Sequence, residues 1–222
     1  MKTQEKIHGR IFTPEYIVDN MLDLCGYNDT MRIVGKHIME NSCGEGAFLC
    51  RIVERYCEYH TKLYHDSDSL KKELETYIHG IEIDKPTYIA CLQNLDRIAA
   101  KYHLDSVKWD IQNEDALQFS RYDGLMDYVI GNPPYVRVHN LQDSYSDVKR
   151  FSFTDKGMTD LFLAFFEIGL GMLKPAGRLC YITPNSWLNS VAGKSMRNYI
   201  QKTKILNSLI DLQHFSPFQA TT

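Results

Sequence analysis

One stretch organises this sequence: Asp127-Tyr128-Val129-Ile130-Gly131-Asn132-Pro133-Pro134-Tyr135. Its first part is a short apolar run of β-forming residues that ends at Gly131, which predicts a buried central strand whose carboxyl end opens into a turn. Open α/β sheets bind their ligands in crevices at such strand ends. We therefore expect the turn formed by residues 132–135 to carry the chemistry of the protein.

The composition of this turn favours the capture of an amino group. Pro134 restricts the backbone of Pro133, and a proline has no N–H to donate, so the turn presents acceptors. Together the Asn132 side-chain carbonyl and the Pro133 main-chain carbonyl can accept both hydrogens of one NH₂ group. Two such bonds would favour a pyramidal, nucleophilic nitrogen, and Tyr135 offers a flat face for a planar substrate. The alternative interpretation is a rigid turn with an exposed aromatic ring.

Length and composition limit the class of protein. The 222 residues are 44% hydrophobic, which suffices for one sizeable core, and we expect a single domain over residues 1–222. No apolar run approaches the roughly 18 residues of a membrane helix, and the start of the chain does not have the apolar stretch of a signal peptide. The sequence therefore predicts a cytoplasmic protein without a membrane partner.

Charge and metal-binding residue types narrow the function further. A net charge of −3 gives no overall signature of a polyanion-binding protein, so any nucleic-acid contact must come from a local patch. Six cysteines without a CxxC pair and eight histidines without metal-ligand spacing predict reduced, mostly buried thiols and no metal site.

Hydrophobic periodicity predicts six strands that alternate with helices. We expect strands at residues 37–39, 77–84, 107–111, 127–131, 177–185 and 205–212, and helices at 14–25, 48–56, 86–98, 159–173 and 191–203. Thr13 suits an N-cap and Pro14 the first helical position of a capping helix within residues 1–30. The alternation predicts a doubly wound α/β fold with a mainly parallel sheet.

The first predicted strand runs into a glycine loop at residues 40–49. Gly44 and Gly46 would let a ligand approach the backbone closely. Position 49 is Leu where the dinucleotide fingerprint has its third glycine. Glu40, at the strand end, would repel a pyrophosphate and attract an ammonium group. The loop therefore favours a cofactor with an amino-acid moiety over a dinucleotide.

Two further carboxylates follow later strands. Glu82 ends the second predicted strand, where it is placed to accept two hydrogen bonds from a ribose diol; the alternative is a plain surface carboxylate. Asp115 follows the third predicted strand and is a candidate acceptor for an adenine amino group, although it suits a helix cap equally well.

A polar loop at residues 136–157 follows the turn, and its length indicates an active-site loop. Basic residues, among them Arg137, Lys149 and Arg150, alternate there with aromatic ones. Such a mixture fits a nucleic-acid strand, with phosphates on the cations and bases on the rings. A solvated loop without a ligand is an equal alternative.

The order of these motifs resembles that of the gamma group of DNA adenine-N6 methyltransferases, which occur in restriction-modification systems. The resemblance covers nearly the whole chain and rests on the joint order of the motifs. They are Phe12-Thr13-Pro14, the glycine loop, Gly80-Ile81-Glu82-Ile83-Asp84, Asn113-Glu114-Asp115-Ala116, Gly131-Asn132-Pro133-Pro134-Tyr135 and residues 177–185.

The resemblance implies S-adenosylmethionine as cofactor, bound to a Rossmann-like methyltransferase sheet. Thr13 and Glu40 would contact its methionine end, and the glycine loop with Cys43, Gly44 and Gly46 would surround that end. Glu82 and Ile83 would hold the ribose. Asp115 and Ala116 would contact the adenine. Residues 132–134 would hold the target amino group in line with the sulfonium methyl. Direct transfer needs no covalent intermediate, so Cys43 is not expected to act as a nucleophile.

The resemblance further implies double-stranded DNA with a flipped adenine as substrate. Tyr135 would stack on one face of the flipped base. Phe218, in preference to Phe215, would cover the other face. Arg137, Lys149 and Arg150 would contact the DNA. The sequence ends at Thr222, before the seventh, antiparallel strand and the target-recognition domain expected in this group. We therefore interpret the chain as a catalytic domain that works with a recognition domain or subunit and a restriction nuclease.

Three alternatives stay open. A similar turn occurs in methyltransferases that act on a protein glutamine amide or on an RNA base amine. A nicotinamide oxidoreductase is disfavoured by Glu40 and Leu49. A nucleic-acid-binding module without catalysis would not bind S-adenosylmethionine.

Overall fold

The structure is a computed structural model that describes residues 13–64, 66–137, 148–155 and 159–213. The helices are α1 (Glu15–Cys25), α2 (Thr30–Ile33), α3 (Ala47–Leu63), α4 (Ser67–Tyr77), α5 (Lys85–Lys101), α6 (Leu161–Met172) and α7 (Lys194–Thr203). The strands are β1 (Ile38–Glu40), β2 (Ile78–Ile81), β3 (Asp110–Gln112), β4 (Met126–Gly131) and β5 (Leu173–Tyr181). Short 3₁₀ helices lie at Ser152–Thr154 and Asn185–Leu188.

The five strands form one sheet in the order β3-β2-β1-β4-β5, and every pair of neighbours is parallel. The chain moves outward from β1 through β2 to β3, and then returns to the other side of β1 to place β4. The winding direction therefore reverses between β1 and β4, and open α/β sheets bind ligands at this reversal. The predicted doubly wound, parallel α/β fold is confirmed.

Both faces of the sheet are covered by helices. Ile38, Ile78 and Ile130 pack in one apolar cluster with residues of α1, α3, α4 and α5. Met39 and Val129, their neighbours along the strands, pack in a second cluster with residues of α6. Successive side chains of a strand point to opposite faces, so strands buried on both faces read as continuous apolar runs. This accounts for the apolar run at residues 128–130.

The predicted sixth strand at residues 205–212 is wrong. This segment has no regular secondary structure, and the side chains of Ile205 and Ile210 are 42% and 58% exposed. β-forming residues make a strand only where a neighbouring strand pairs with them and apolar surface covers them. Within the residues that the structure describes, nothing supplies either condition to this segment.

The fifth strand also differs from its prediction. It runs from Leu173 to Tyr181 instead of over residues 177–185, and its residues are partly buried or exposed. It is partly exposed because β5 is the last strand of the sheet within the described residues. Pro175 lies where the register between β4 and β5 is irregular, between the pairs Met126–Leu173 and Tyr128–Arg178, and a strand tolerates proline at such a place.

Helix α1 begins differently from the prediction. Its N-cap is Pro14, and no side chain caps it, so Thr13 is not the N-cap. The helix ends as expected at Gly26, whose φ of 85° places it in the left-handed region and whose N–H donates to the carbonyls of Asp23 and Leu22.

Residues 59–75, for which the sequence analysis predicts no element, contribute to the core. They form the end of α3 and most of α4, and Leu70 and Leu74 are buried against the first cluster. Within the described residues no helix combines the length and the apolar character that a membrane-spanning segment requires.

Two glycines provide a test of how tightly the core is packed. A Cβ atom at Gly80, in β2, would lie 2.9 Å from Leu49 Cδ1 and 3.0 Å from Ile111 Cδ1. We expect Gly80→Ala to lower the free energy of unfolding by about 1–3 kcal/mol through overpacking. Gly171, in α6, has no heavy atom within 4 Å of the same position, so Gly171→Ala should raise that free energy by about 0.5–1 kcal/mol. Urea unfolding measures both changes, and effects of the same sign would contradict this account.

Candidate active site

The glycine loop follows β1 at the point where the winding direction reverses. Gly44 and Gly46 have φ values of 53° and 88°, in the left-handed region that favours glycine. A Cβ at Gly46 would lie 2.9 Å from Cys91 Sγ, whereas nothing lies within 4 Å of that position at Gly44. Gly46 is therefore needed for close packing of the loop on α5. Gly44 exposes its backbone to open space, where a ligand can approach.

Glu82 fixes this loop to the end of β2. Its Oε2 accepts a hydrogen bond from the Gly44 N–H at 2.9 Å, and its Oε1 accepts one from the Asp84 N–H at 2.8 Å. A carboxylate has about four lone-pair sites, so further hydrogen bonds from a ligand are compatible with these two. Glu82 thus has a structural role that the sequence did not predict, at the position expected for a ribose contact.

Glu40 places a buried carboxylate at the end of β1. Its side chain is 3% exposed, and its Oε2 has no hydrogen-bond partner among the described residues. Burial raises the pKa of Glu40 well above its ordinary value, the negative potential of Cys91 and Glu82 adds to this, and a backbone hydrogen bond at Leu49 acts in the opposite direction. A buried acceptor without a donor is stabilised by a cation that supplies N–H groups.

The turn after β4 presents a second buried acceptor. Asn132 Nδ2 donates a hydrogen bond to Thr13 Oγ1 at 3.1 Å, and Asn132 Oδ1 is buried without a partner in the described part of the chain. Pro133 is buried beside it. The Ser42 hydroxyl donates to the Asn132 main-chain carbonyl at 3.5 Å, which links the turn to the glycine loop. Thr13 therefore holds Nδ2 of the Asn132 amide, and Oδ1 stays available to accept a hydrogen bond from a ligand.

Tyr135 is fixed at both ends. Its hydroxyl donates to the Ile182 carbonyl at 2.9 Å, and its ring meets the Phe162 ring edge-on, with 6.4 Å between centroids. Burial raises the Tyr135 pKa above its ordinary value, so the hydroxyl stays protonated and keeps donating. A ring held in this way can serve as a rigid stacking surface.

Asn41 is a site residue that the sequence analysis missed. The Tyr181 hydroxyl donates to Asn41 Oδ1 at 2.8 Å, and Asn41 Nδ2 is buried without a partner among the described residues. Glu40 Oε2, Asn41 Nδ2 and Asn132 Oδ1 thus all lie at the carboxyl ends of β1 and β4. The signal available in the sequence was the amide beside Glu40 at a strand end, but its hydroxyl partner lies 140 residues away.

The remaining predicted cofactor residues lie along the same edge of the sheet. Asn113 Nδ2 donates to the carbonyls of Glu82 and Ile83 at 2.8 and 3.0 Å, which joins the segments after β2 and β3. The Ile83 side chain is 61% exposed. Asp115 Oδ1 accepts from the Leu117 N–H at 2.9 Å and so caps a turn, and Ala116 is buried there.

The predicted substrate-binding cations differ in their surroundings. Arg137 is exposed. Lys149 Nζ donates to the Thr154 carbonyl at 3.1 Å, and Arg150 donates to the Leu117 carbonyl and lies over the Phe151 ring. Lys149 thus bonds within its own loop, whereas Arg150 ties that loop to the segment after β3. Phe215 and Phe218 lie outside the described residues, as do residues 138–147 and 156–158 of the predicted active-site loop.

A second polar region lies at the opposite edge of the sheet, around a cavity of about 590 Å³. Its charged groups pair with one another: His79 Nδ1 lies 2.7 Å from Asp110 Oδ2, and Lys174 Nζ lies 2.9 Å from Asp127 Oδ2. No group of three potential metal ligands occurs in the residues that the structure describes. Among the polar atoms buried without a partner in the described residues, Glu40 Oε2, Asn41 Nδ2 and Asn132 Oδ1 lie together at the ends of adjacent strands, and they identify the candidate site.

The chain is similar to known proteins over most of its length. A sequence model of the Eco57I restriction-modification methylase family matches residues 37–218. The Type II methyltransferase M.BstVI of Geobacillus stearothermophilus is 27% identical over 96% of the chain, and the chain spans only 40% of the length of that relative.

Solved structures share the fold at low sequence identity. The protein in the DrdV–DNA complex superposes with a TM-score of 0.67 at 17% identity, over 89% of this chain and 22% of that one. A putative class I S-adenosylmethionine-dependent methyltransferase from Listeria monocytogenes superposes with a TM-score of 0.59 at 18% identity, over 86% of this chain and 52% of that one.

Glu40→Gln tests the electrostatics of the site. Because burial raises the folded-state pKa of Glu40, the native state binds this proton more tightly than the unfolded chain does. Glu40 therefore lowers stability as the pH rises above its unfolded pKa of about 4.3. We expect the free energy of unfolding of the variant to be about 1–3 kcal/mol higher than that of the parent at pH 8. Near pH 4 the two free energies should be equal. Urea unfolding at both pH values measures this, and a less stable variant at pH 8 would contradict it.

Proposed function

The chain belongs to the Eco57I restriction-modification methylase family, and on this premise we propose that it transfers a methyl group from S-adenosylmethionine to the N6 amino group of adenine in DNA. It would act as the catalytic domain of the modification component of a restriction-modification system. Recognition of a DNA sequence and cleavage by a nuclease would come from partner domains or subunits.

The observation that carries this proposal is the buried acceptor Asn132 Oδ1, which has no partner in the described residues and belongs to the residue that directly precedes Pro133 in the chain. An exocyclic amino group can donate one hydrogen to this oxygen and one to the Pro133 main-chain carbonyl. Both bonds draw the nitrogen lone pair out of conjugation with the ring. The lone pair would then form the new N–C bond while the S–CH₃ bond of the donor breaks and its electron pair returns to sulfur, which becomes a neutral thioether. The nitrogen would release one proton to complete the exchange.

The site has groups suited to the methionine end of the cofactor. When bound, the cofactor supplies an electrophilic methyl carbon on a sulfonium ion. The unpartnered Oε2 of Glu40 would accept from the ammonium group, and Thr13 lies at the same edge. The exposed backbone of Gly44, with Cys43 and Gly46 on either side, leaves room for the chain of the methionine moiety.

The nucleoside end of the cofactor would lie along the ends of β2 and β3. Glu82, next to Ile83, has lone pairs left for the ribose hydroxyls. Asp115 and Ala116 would border the adenine ring, with the second Asp115 oxygen as acceptor for its amino group. A hydrogen bond with Cys91, together with burial, raises the pKa of the Cys43 thiol well above its ordinary value, which agrees with direct transfer and no thiolate nucleophile.

The target base would leave the duplex and stack on Tyr135. The fixed orientation of that ring supports this role. Phe218 is our candidate for the other face of the base. Arg137 is available to a phosphate, whereas Lys149 and Arg150 would have to exchange their carbonyl partners for phosphate oxygens.

The decisive experiment supplies the chain with methyl-labelled S-adenosylmethionine and, separately, with unmethylated duplex DNA, RNA and a protein extract. Mass spectrometry then identifies the labelled product. Label in N6-methyladenine from DNA would support the proposal. Label in N4-methylcytosine, an RNA base or a glutamine amide would change the proposed substrate, because each carries an NH₂ group suited to the same turn. Absence of label despite cofactor binding would contradict the proposal for this chain.

Asn132→Ala removes the proposed acceptor for the target amino group. We expect methyl transfer to fall by at least about 100-fold, a loss typical of a removed electrostatic contact at a reacting group. Cofactor affinity should stay within about twofold, since Asn132 is proposed to meet only the target. Single-turnover rates and titration calorimetry measure the two quantities, and a parental transfer rate would remove Asn132 from this role.

Glu82→Ala should weaken cofactor binding by about 1.5–3 kcal/mol, because it removes charge-assisted hydrogen bonds to the ribose and the anchor of Gly44. Glu58→Ala, at an exposed position of α3, is the matched control for loss of a negative charge. Titration calorimetry compares both variants with the parent. Equal affinity in all three proteins would exclude Glu82 from the cofactor site.

A further inference from the structure

We propose that Thr13 is a positioning residue for methyl transfer, and that its hydroxyl holds the amide plane of Asn132 in the orientation that presents Oδ1 to the target amino group. The contact is the hydrogen bond from Asn132 Nδ2 to Thr13 Oγ1 at 3.1 Å. This inference rests on the proposed function of the turn. It assigns Thr13 a partner in the protein, where the resemblance implies only contact with the cofactor.

The amide of Asn132 needs such a partner because its two ends differ in chemistry but hardly in shape. With Oδ1 toward the target, the side chain accepts a hydrogen from the amino group; with Nδ2 there, two donors would face each other. When Thr13 Oγ1 accepts from Nδ2, the oxygen is the end left for the target. Asn132 Oδ1 has no partner in the described residues, which agrees with a role in which Nδ2 bonds Thr13 and Oδ1 is left for the target.

Thr13 itself is held firmly enough to act on another side chain. It is 3% exposed, and a β-branched side chain has few χ1 rotamers. It also precedes Pro14, whose ring restricts the backbone of the residue before it. The Pro14 carbonyl accepts from the N–H groups of Ile17 and Val18 at 3.0 and 3.2 Å, and both of these side chains are buried in the core.

The start of α1 supports the same role. A threonine before a helix usually caps it by accepting a backbone N–H, yet no side chain caps α1. The Thr13 hydroxyl instead bonds a residue 119 positions further along the chain. The packing of α1 on the core thereby sets the geometry of the turn after β4.

A hydroxyl-dependent contact predicts different outcomes for two substitutions. Thr13→Val keeps the shape and removes the hydroxyl, and we expect the single-turnover transfer rate at saturating cofactor and DNA to fall by roughly 10- to 100-fold, as for a misplaced reacting group. Thr13→Ser keeps the hydroxyl and should retain most of the rate. Saturating concentrations remove any change of cofactor affinity from this rate, the dissociation constant for S-adenosylmethionine is measured separately, and circular dichroism checks that both variants fold.

Two results would overturn the proposal. If Thr13→Val weakens cofactor binding but keeps the saturated rate, Thr13 is a cofactor ligand and not a positioning residue. If Thr13→Ser is as slow as Thr13→Val, the hydroxyl alone does not sustain the rate, and a hydroxyl-dependent positioning role is excluded.

A second measurement does not depend on catalysis. In the ¹⁵N-labelled chain, the side-chain amide signals of Asn132 are identified by their loss in Asn132→Asp. We expect these protons to exchange with water faster in Thr13→Val than in the parent and in Thr13→Ser. Unchanged exchange in Thr13→Val would sink the proposal even if the parent methylates DNA. Faster exchange in Thr13→Val, together with a parent chain that transfers no methyl group, would establish the contact and sink the proposed function.

Discussion

The parallel pairing of β1 with β4 is the constraint on which the rest of the site depends. Ile38 lies opposite Tyr128 and Met39 opposite Val129, so the glycine loop and the turn at residues 132–135 leave the sheet side by side. The chain runs from β1 to β2 and β3 on one side and then returns to form β4 on the other side of β1. The helices that follow β1 and β4 therefore diverge, and a crevice lies between them. Without this pairing, the acceptors of Glu40 and Asn132 would not meet.

The site places polar groups where burial is costly. Each buried donor or acceptor without a partner costs about 1–3 kcal/mol, and Glu40, Asn41 and Asn132 all carry such atoms. Apolar packing on both faces of the sheet offsets this cost. A ligand that supplies the missing partners would be bound partly by relief of that penalty. This is why the unpartnered atoms are more informative than cavity size.

A second layer of residues holds the functional groups in place. Glu82 and Asn113 tie the segments after β1, β2 and β3 together through main-chain groups. Tyr181 and Thr13 each bond one end of a side-chain amide and leave the other end available. These contacts restrict the positions of the acceptors before any ligand binds, which lowers the ordering cost on binding.

The sequence by itself determined the features that depend on neighbouring residues. Alternation of helices and strands, the glycine loop and the proline-rich turn follow from periodicity and from the backbone limits of Gly and Pro, so the parallel α/β fold and five of its strands were predicted, the fifth with shifted bounds. Only the tertiary structure decided the strand order, the partner of Thr13, the role of Asn41 and the exposure of residues 205–212. Each of these depends on contacts between segments far apart in the chain, and local propensity carries no information about which distant group will supply a hydrogen bond or cover an apolar side chain.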